Sequence, residues 1–157
     1  MKEAIDEMNT SKSPRVEVLL LTNSIESILK DFMEFLLSSK QARQIPRETI
    51  VKILKEKKRI SKELAHDVTL IFKIRDAFAH KISLNQANEY AEDEILPNLN
   101  CVKTESKKIP NYEIKPLHEK LIDVSDWVFA NLIMEFDQTT RHSLRLRVKS
   151  VGTDQPL

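Results

Sequence analysis

The sequence contains one glycine, Gly152, among its 157 residues. Phosphate-binding loops of the P-loop and dinucleotide-fingerprint types need several glycines at fixed spacing, because glycine lets the backbone approach a phosphate closely. The sequence therefore excludes both of these classes of enzyme. Few aromatic residues (6%) and many Lys, Glu, Leu and Ile residues favour helices over sheet. We predict an all-α protein, long enough for one domain with a substantial hydrophobic core.

Charge and cysteine content limit the partners and the compartment. The 25 basic and 24 acidic residues leave a net charge of +1, so nucleic acid could bind only through a local basic patch. Cys101 is the single cysteine, which rules out an intramolecular disulfide and a zinc site built from several cysteines. No apolar run reaches the roughly 18 to 20 residues of a membrane span, and the amino terminus lacks the apolar core of a signal peptide. These features predict a cytoplasmic protein with no membrane contact, no metal and no cofactor.

Capping residues and apolar periodicity divide the chain into helices. Helices are predicted over residues 14–38, 46–58, 61–80 and 117 to about 140, and Ser61 is the expected cap of the third. The first and last of them carry wide apolar stripes and should pack along each other. Between residues 82 and 116 Asn and Pro recur, which predicts a long irregular connection. The expected fold is an up-down bundle of four to five helices.

The predicted domain covers residues 13–140, between an N-terminal extension (1–12) and a basic C-terminal tail (141–157). Within the tail, the segment RHSLRLRVKS alternates basic and apolar residues. This pattern fits either a continued helix or an extended arm. A basic arm could bind nucleic acid or form a dimer contact, but charged chain ends are commonly only solubilising.

The densest positive cluster in the chain lies at the end of the second predicted helix. Its members are Lys52, Lys55, Lys57, Lys58 and Arg59. Such a cluster is either a phosphate-contacting patch or a solvated helix end whose cations suit the helix dipole, and the second interpretation is favoured. The candidate nucleic-acid contacts are Lys55, Lys57, Lys58, Arg59 and Lys81.

One stretch, FKIRDAFAH at residues 72–80, combines a buried helical pattern with groups suited to chemistry. The apolar stripe of the preceding helix continues onto Arg75, and an arginine at such a position needs a partner or a function. In an unbroken helix Arg75 and His80 diverge by about 140°, whereas Asp76 and His80 share a face. Arg75 and His80 would therefore converge only if the helix ends near His80 or a second copy of the chain completes the site.

Other polar positions within the helices have simpler explanations. Asn23, Ser24 and Glu26 interrupt the first helix, and we interpret them as its solvated side. His66, which lies beside Asp67 about two turns before Arg75, is interpreted as a surface or satisfied core residue, outside the site.

The RDAFAH motif resembles the Arg-polar-x-x-x-His signature of HEPN domains, all-helical modules named for higher eukaryotes and prokaryotes nucleotide-binding. The longer stretch from IVKILKEKKRISKELAHDV through FKIRDAFAHKISL is similar to the branch that includes mannitol operon repressor-like proteins. This resemblance covers about residues 50–84. Asp76 stands where Asn is frequent, and Ile82 replaces the Tyr that marks HEPN partners of small nucleotidyltransferases.

For HEPN ribonucleases the resemblance implies metal-independent RNA cleavage at a composite site across a homodimer, in toxin or defence systems that include an antitoxin partner. An imidazole can accept or donate a proton, so His80 could take the proton of a ribose 2′-hydroxyl or supply one to the leaving oxygen. Arg75 would neutralise charge developing on the phosphate, and Asp76 would orient the imidazole.

Three alternatives remain open at this point. The repressor-like branch implies a non-catalytic regulator that acts through protein or nucleic-acid partners. Arg75 and Asp76 could instead form a polar network that closes the bundle, with His80 at a helix end. The third alternative is nucleotide binding without cleavage.

Overall fold

The computed structural model describes residues 14–80, 83–105 and 111–151. These residues form helices and no strand, which confirms the predicted all-α bundle. The α-helices are α1 Pro14–Leu37, α2 Arg47–Glu56, α3 Lys62–His80, α4 Leu84–Glu89, α5 Asn100–Glu105 and α6 Leu117–Val151. Shorter segments are a π-helix at Tyr90–Ile95 and 3-10 helices at Lys40–Gln44, Leu96–Asn98 and Tyr112–Ile114.

The core lies between α1, α3 and α6. The fully buried residues on these helices include Ile25, Leu29, Phe32, Val68, Val124, Val128 and Leu132. As the apolar stripes predict, α1 packs along α6, where the Phe32 ring lies 4.9 Å from the Phe136 ring. At the other end of the bundle, Arg15 near the start of α1 donates a hydrogen bond of 2.6 Å to the carbonyl of Phe78 near the end of α3, so these two helices are antiparallel.

Local capping explains where α2 ends and α3 begins. Lys58 has φ of 53°, and the amides of Lys58 and Arg59 donate back to the carbonyls of Lys55 and Leu54, which is the Schellman arrangement. The Ser61 hydroxyl then accepts a hydrogen bond of 3.0 Å from the Leu64 amide, as predicted for a capping serine.

A buried carboxylate anchors the connection between α3 and α6. Asp67 is 1% exposed, and its two oxygens accept hydrogen bonds from the Asn100 and Cys101 amides at 2.7 and 2.8 Å. These amides begin α5, where backbone N–H groups have no partner within the helix. Burial, with the nearby Asp67 charge, raises the pKa of the Cys101 thiol above its usual value. Asp67 is thus a core residue whose carboxylate is satisfied by backbone amides.

The prediction that the last helix ends near residue 140 is wrong, because α6 continues to Val151. No glycine or proline interrupts residues 117–151, and Gly152 follows directly in the sequence. Of the two interpretations of the basic tail, the structure has the continued helix as far as Val151. The N-terminal extension lies outside the described residues. No helix among the described residues is both long enough and apolar enough to cross a membrane.

Candidate functional site

The RDAFAH motif forms the last two turns of α3, which runs without a break from Lys62 to His80. Regular helix geometry therefore separates Arg75 from His80 by about 140° around the axis. The Arg75 side chain is half-buried, with 30% of its surface exposed, and His80 is exposed. A single chain does not bring these two groups together in the helix itself.

The carboxylate of Asp76 is held by two arginines. Arg47 donates from Nη2 to both oxygens of Asp76, at 2.7 and 2.8 Å, and Arg75 donates from Nη1 to Oδ1 at 3.1 Å. Burial alone would raise the pKa of Asp76, but hydrogen bonds from Arg47 and Arg75 and their positive charges outweigh burial and lower it. Asp76 is therefore ionised in the folded protein at neutral pH.

Arg47 is the residue of this site that the sequence interpretation missed. Its side chain is only 13% exposed, and its guanidinium lies 4.7 Å from the centre of the Phe72 ring. Nε donates to Glu48 at 2.8 Å, and Nη1 lies 3.8 Å from Glu26. Burial would lower the pKa of Arg47, but the hydrogen bonds to Asp76 and Glu48 raise it.

One signal in the sequence could have identified Arg47. It occupies the first turn of α2, where the helix dipole disfavours a cation. An arginine there needs carboxylate partners, and Glu26 on α1 and Asp76 on α3 are two of them. Glu26, interpreted as part of a solvated strip, is thus half-buried and ion-paired, whereas its neighbours Asn23 and Ser24 are exposed as predicted.

A groove of about 420 Å³ opens beside the end of α3. It is lined by Lys73, Asp76, Ala77, His80 and Tyr90, the last of which comes from the π-helix. Asp76 and His80 thus face one groove, as their spacing predicts, while Arg75 is not among the lining residues. Within the part of the chain that the structure describes, the His80 imidazole makes no hydrogen bond or ion pair. The carboxylate of Asp76 is directed to the two guanidinium groups and not to the imidazole. That Asp76 orients His80 therefore stays a prediction.

A second, larger groove of about 830 Å³ lies between α2 and α3. The two grooves share Lys73 and Asp76, so they adjoin along the surface of α3. Lys55 lines the larger groove, together with His66, which sequence interpretation left outside the site.

The remaining candidate nucleic-acid contacts lie elsewhere. Lys57, Lys58 and Arg59 are exposed after the end of α2 and do not line this groove. Lys81 lies outside the described residues.

Comparison of the chain with protein-family models, with curated proteins and with solved structures finds no match. The HEPN resemblance therefore rests on the residues of the motif and of the stretch around it.

Proposed function

We propose that this chain is a HEPN-like RNA-binding effector of toxin or defence type, which cleaves RNA without a metal at a site completed by a second copy of the chain. The observation that carries the proposal is the exposed, unpaired imidazole of His80 in an open groove at the end of α3, as seen among the described residues. Arg75, on the same helix, points about 140° away. A twofold dimer could set His80 of one copy against Arg75 of the other.

The chemistry follows from the two side chains. His80 would take the proton of a ribose 2′-hydroxyl, and the 2′-oxygen would form a bond to phosphorus as the bond to the 5′-oxygen breaks. A proton from a protonated His80 of the second copy would complete the leaving hydroxyl. Among the described residues Arg75 is hydrogen-bonded through Nη1 to Asp76, which leaves Nε and Nη2 to bind the phosphate oxygens.

The proposal is tested by cleavage of single-stranded RNA. His80→Ala and Arg75→Ala should each abolish cleavage while circular dichroism shows unchanged helix content. His118→Ala, which removes another exposed imidazole at the start of α6, is the matched control and should cleave as the wild type does. Equal activity in all four rigorously purified proteins would refute the proposal.

The dimer part of the proposal has its own test. If two copies complete one site, activity per chain should fall on dilution through the range in which sedimentation shows dimers dissociating. Constant activity per chain across that range would show that one copy is sufficient.

The second candidate function is a non-catalytic regulator in the cytoplasm. It is favoured by the ion pairs of Asp76 with Arg47 and Arg75, which explain two of the three motif residues as packing. A regulator should retain its protein or nucleic-acid partner in pull-down experiments with Arg75→Ala and His80→Ala. Loss of the partner in both variants would count against this candidate.

A further inference from the structure

The groove between α2 and α3 is lined by basic side chains from both helices. Lys52 and Lys55 come from α2, and Lys62, His66 and Lys73 come from α3. All five are exposed. They therefore meet solvent at the edge of a cavity whose base is formed by the buried side chains of Val51, Ala65 and Phe72.

The acidic residues of the groove do not neutralise these lysines. Glu48 and Asp76, the two carboxylates in its lining, both bind Arg47. Lys55, Lys62 and Lys73 make no ion pair within the described ranges of the chain. Lys52 lies 4.0 Å from Glu56, and both of these side chains are more than half exposed, so this contact is weak. The groove thus keeps a local positive charge although the chain as a whole carries only +1.

We propose that this groove binds the phosphodiester backbone of a single-stranded nucleic acid and leads it toward His80. Lysines at the edge of the groove can bind the phosphates of a flexible polyanion. Its nucleobases can then pack against the apolar floor of the groove. Lys73 and Asp76 connect the groove to the one that contains His80. The inference deepens the proposed function and rests on it for the choice of RNA as the strand.

The dimensions favour one strand over a duplex. The axes of two packed helices lie about 8–10 Å apart, so the surface groove between them is too narrow for a double helix to enter. Lys62 and Asp76 are separated by about 21 Å along α3 at ~1.5 Å per residue. That length corresponds to about six nucleotides at the ~3.4 Å spacing of a stacked strand.

The test is the salt dependence of binding, measured by fluorescence anisotropy with an oligouridylate of about twelve nucleotides. Four phosphate contacts on a single strand predict a loss of affinity of about 50-fold between about 50 and about 200 mM salt, and one contact predicts about threefold. The triple variant Lys55→Gln, Lys62→Gln, Lys73→Gln leaves one groove lysine and should show the smaller loss.

The matched control carries the same change of charge at three exposed residues outside the groove: Lys40→Gln, Arg43→Gln, Lys103→Gln. It should keep the salt dependence of the wild type. A control variant whose salt dependence is reduced as much as that of the groove variant would overturn the assignment of the groove. Absence of RNA binding by the wild type would do the same.

Binding of other polyanions tests whether the groove is specific for single-stranded RNA. The DNA oligomer of the same sequence shares the backbone chemistry, and tighter binding of RNA than of DNA is expected from the proposed function. Equal or tighter binding of a duplex, or displacement of the RNA by polyglutamate at equal charge concentration, would overturn the proposal of a single-strand site.

His80→Ala separates this inference from the proposed function. His80 does not line the larger groove, so the variant should bind the oligouridylate with unchanged salt dependence. Binding in the groove without any cleavage by the wild type would refute the ribonuclease proposal and leave the groove assigned. If the groove variant binds and cleaves RNA as the wild type does, only the assignment of the groove as the RNA-binding site is refuted.

Discussion

Arg47→Met should destabilise the fold more than any comparable change at an exposed arginine. The side chain of Arg47 is 13% exposed, and its guanidinium is hydrogen-bonded to both oxygens of Asp76 and lies over the Phe72 ring at 4.7 Å. Loss of the charge-assisted hydrogen bonds costs about 1.5 kcal/mol, and loss of the cation–π contact about 1 kcal/mol. The methionine stem offsets part of this by packing on the ring.

The expected change is about 2 kcal/mol in the free energy of unfolding, or a Tm lower by about 4–8 °C for a chain of this size. Thermal unfolding followed by circular dichroism at 222 nm measures it. Arg43→Met is the matched control, because Arg43 also bridges two carboxylates, those of Asp31 and Glu34, but with 42% of its side chain exposed.

Arg43→Met should leave Tm nearly unchanged, since ion pairs in water contribute little. Equal Tm losses in the two variants would refute the argument that burial makes the Arg47 interactions valuable. An Arg47→Met variant with the wild-type Tm would refute it directly.

Three further predictions concern stability. Asp67→Ala should lower Tm by several degrees and speed amide exchange in α5, because two backbone amides lose their buried acceptor; an unchanged exchange pattern would contradict this. Lys58→Gly should stabilise the chain by about 0.5–1 kcal/mol, because φ is positive there, while Lys57→Gly should not, and urea titration of both variants tests the difference. Burial raises the pKa of Tyr112 to about 12, so the contribution of the neutral phenol to stability is complete below pH 10 and is lost as pH rises toward 12. Tyr112→Phe should flatten this part of the profile of stability against pH. An unchanged profile would contradict the assignment to Tyr112.

Local signals in the sequence predicted the long helices, since each has its own start, stop and apolar stripe. Ser61 caps α3 as expected, and α1 packs along α6 through the stripes that identify both helices. The end of α6 was missed because alternating basic and apolar residues fit a helix and an extended arm equally well. Only the continuity of the helix to Val151 distinguishes them.

Interactions between distant parts of the chain could not be predicted in the same way. Asp67 caps α5 across more than thirty residues, and α4 and α5 have six residues each, too few to show periodicity. The contacts of Arg47 join α1, α2 and α3, so its partners become evident only when all three helices are packed. The larger groove could not be predicted for the same reason, because its lysines come from two helices that are brought together only by packing.

Asp76 could stabilise the fold through Arg47 or orient the imidazole of His80. In the structure its carboxylate binds Arg47 and Arg75, and it shares only a groove with His80. An Asn at this position, frequent in the proteins that this motif resembles, would leave Nη2 of Arg47 without its charged acceptor. The ion pair with Arg47 is therefore a structural reason for Asp at this position in this chain.

Asp76→Asn separates the structural role from the orienting role. If Asp76 serves Arg47, the variant should lose about 1 kcal/mol of stability, and combining it with Arg47→Met should give a coupling energy of about 1 kcal/mol. Cleavage of RNA by the folded variant should then keep the wild-type rate and pH profile. If Asp76 instead orients His80, the variant should lose rate and shift the pH dependence of kcat, with little coupling to Arg47. Stability and cleavage measured on the same four proteins decide between the roles, because a contact that only stabilises the fold leaves the rate of the folded protein unchanged.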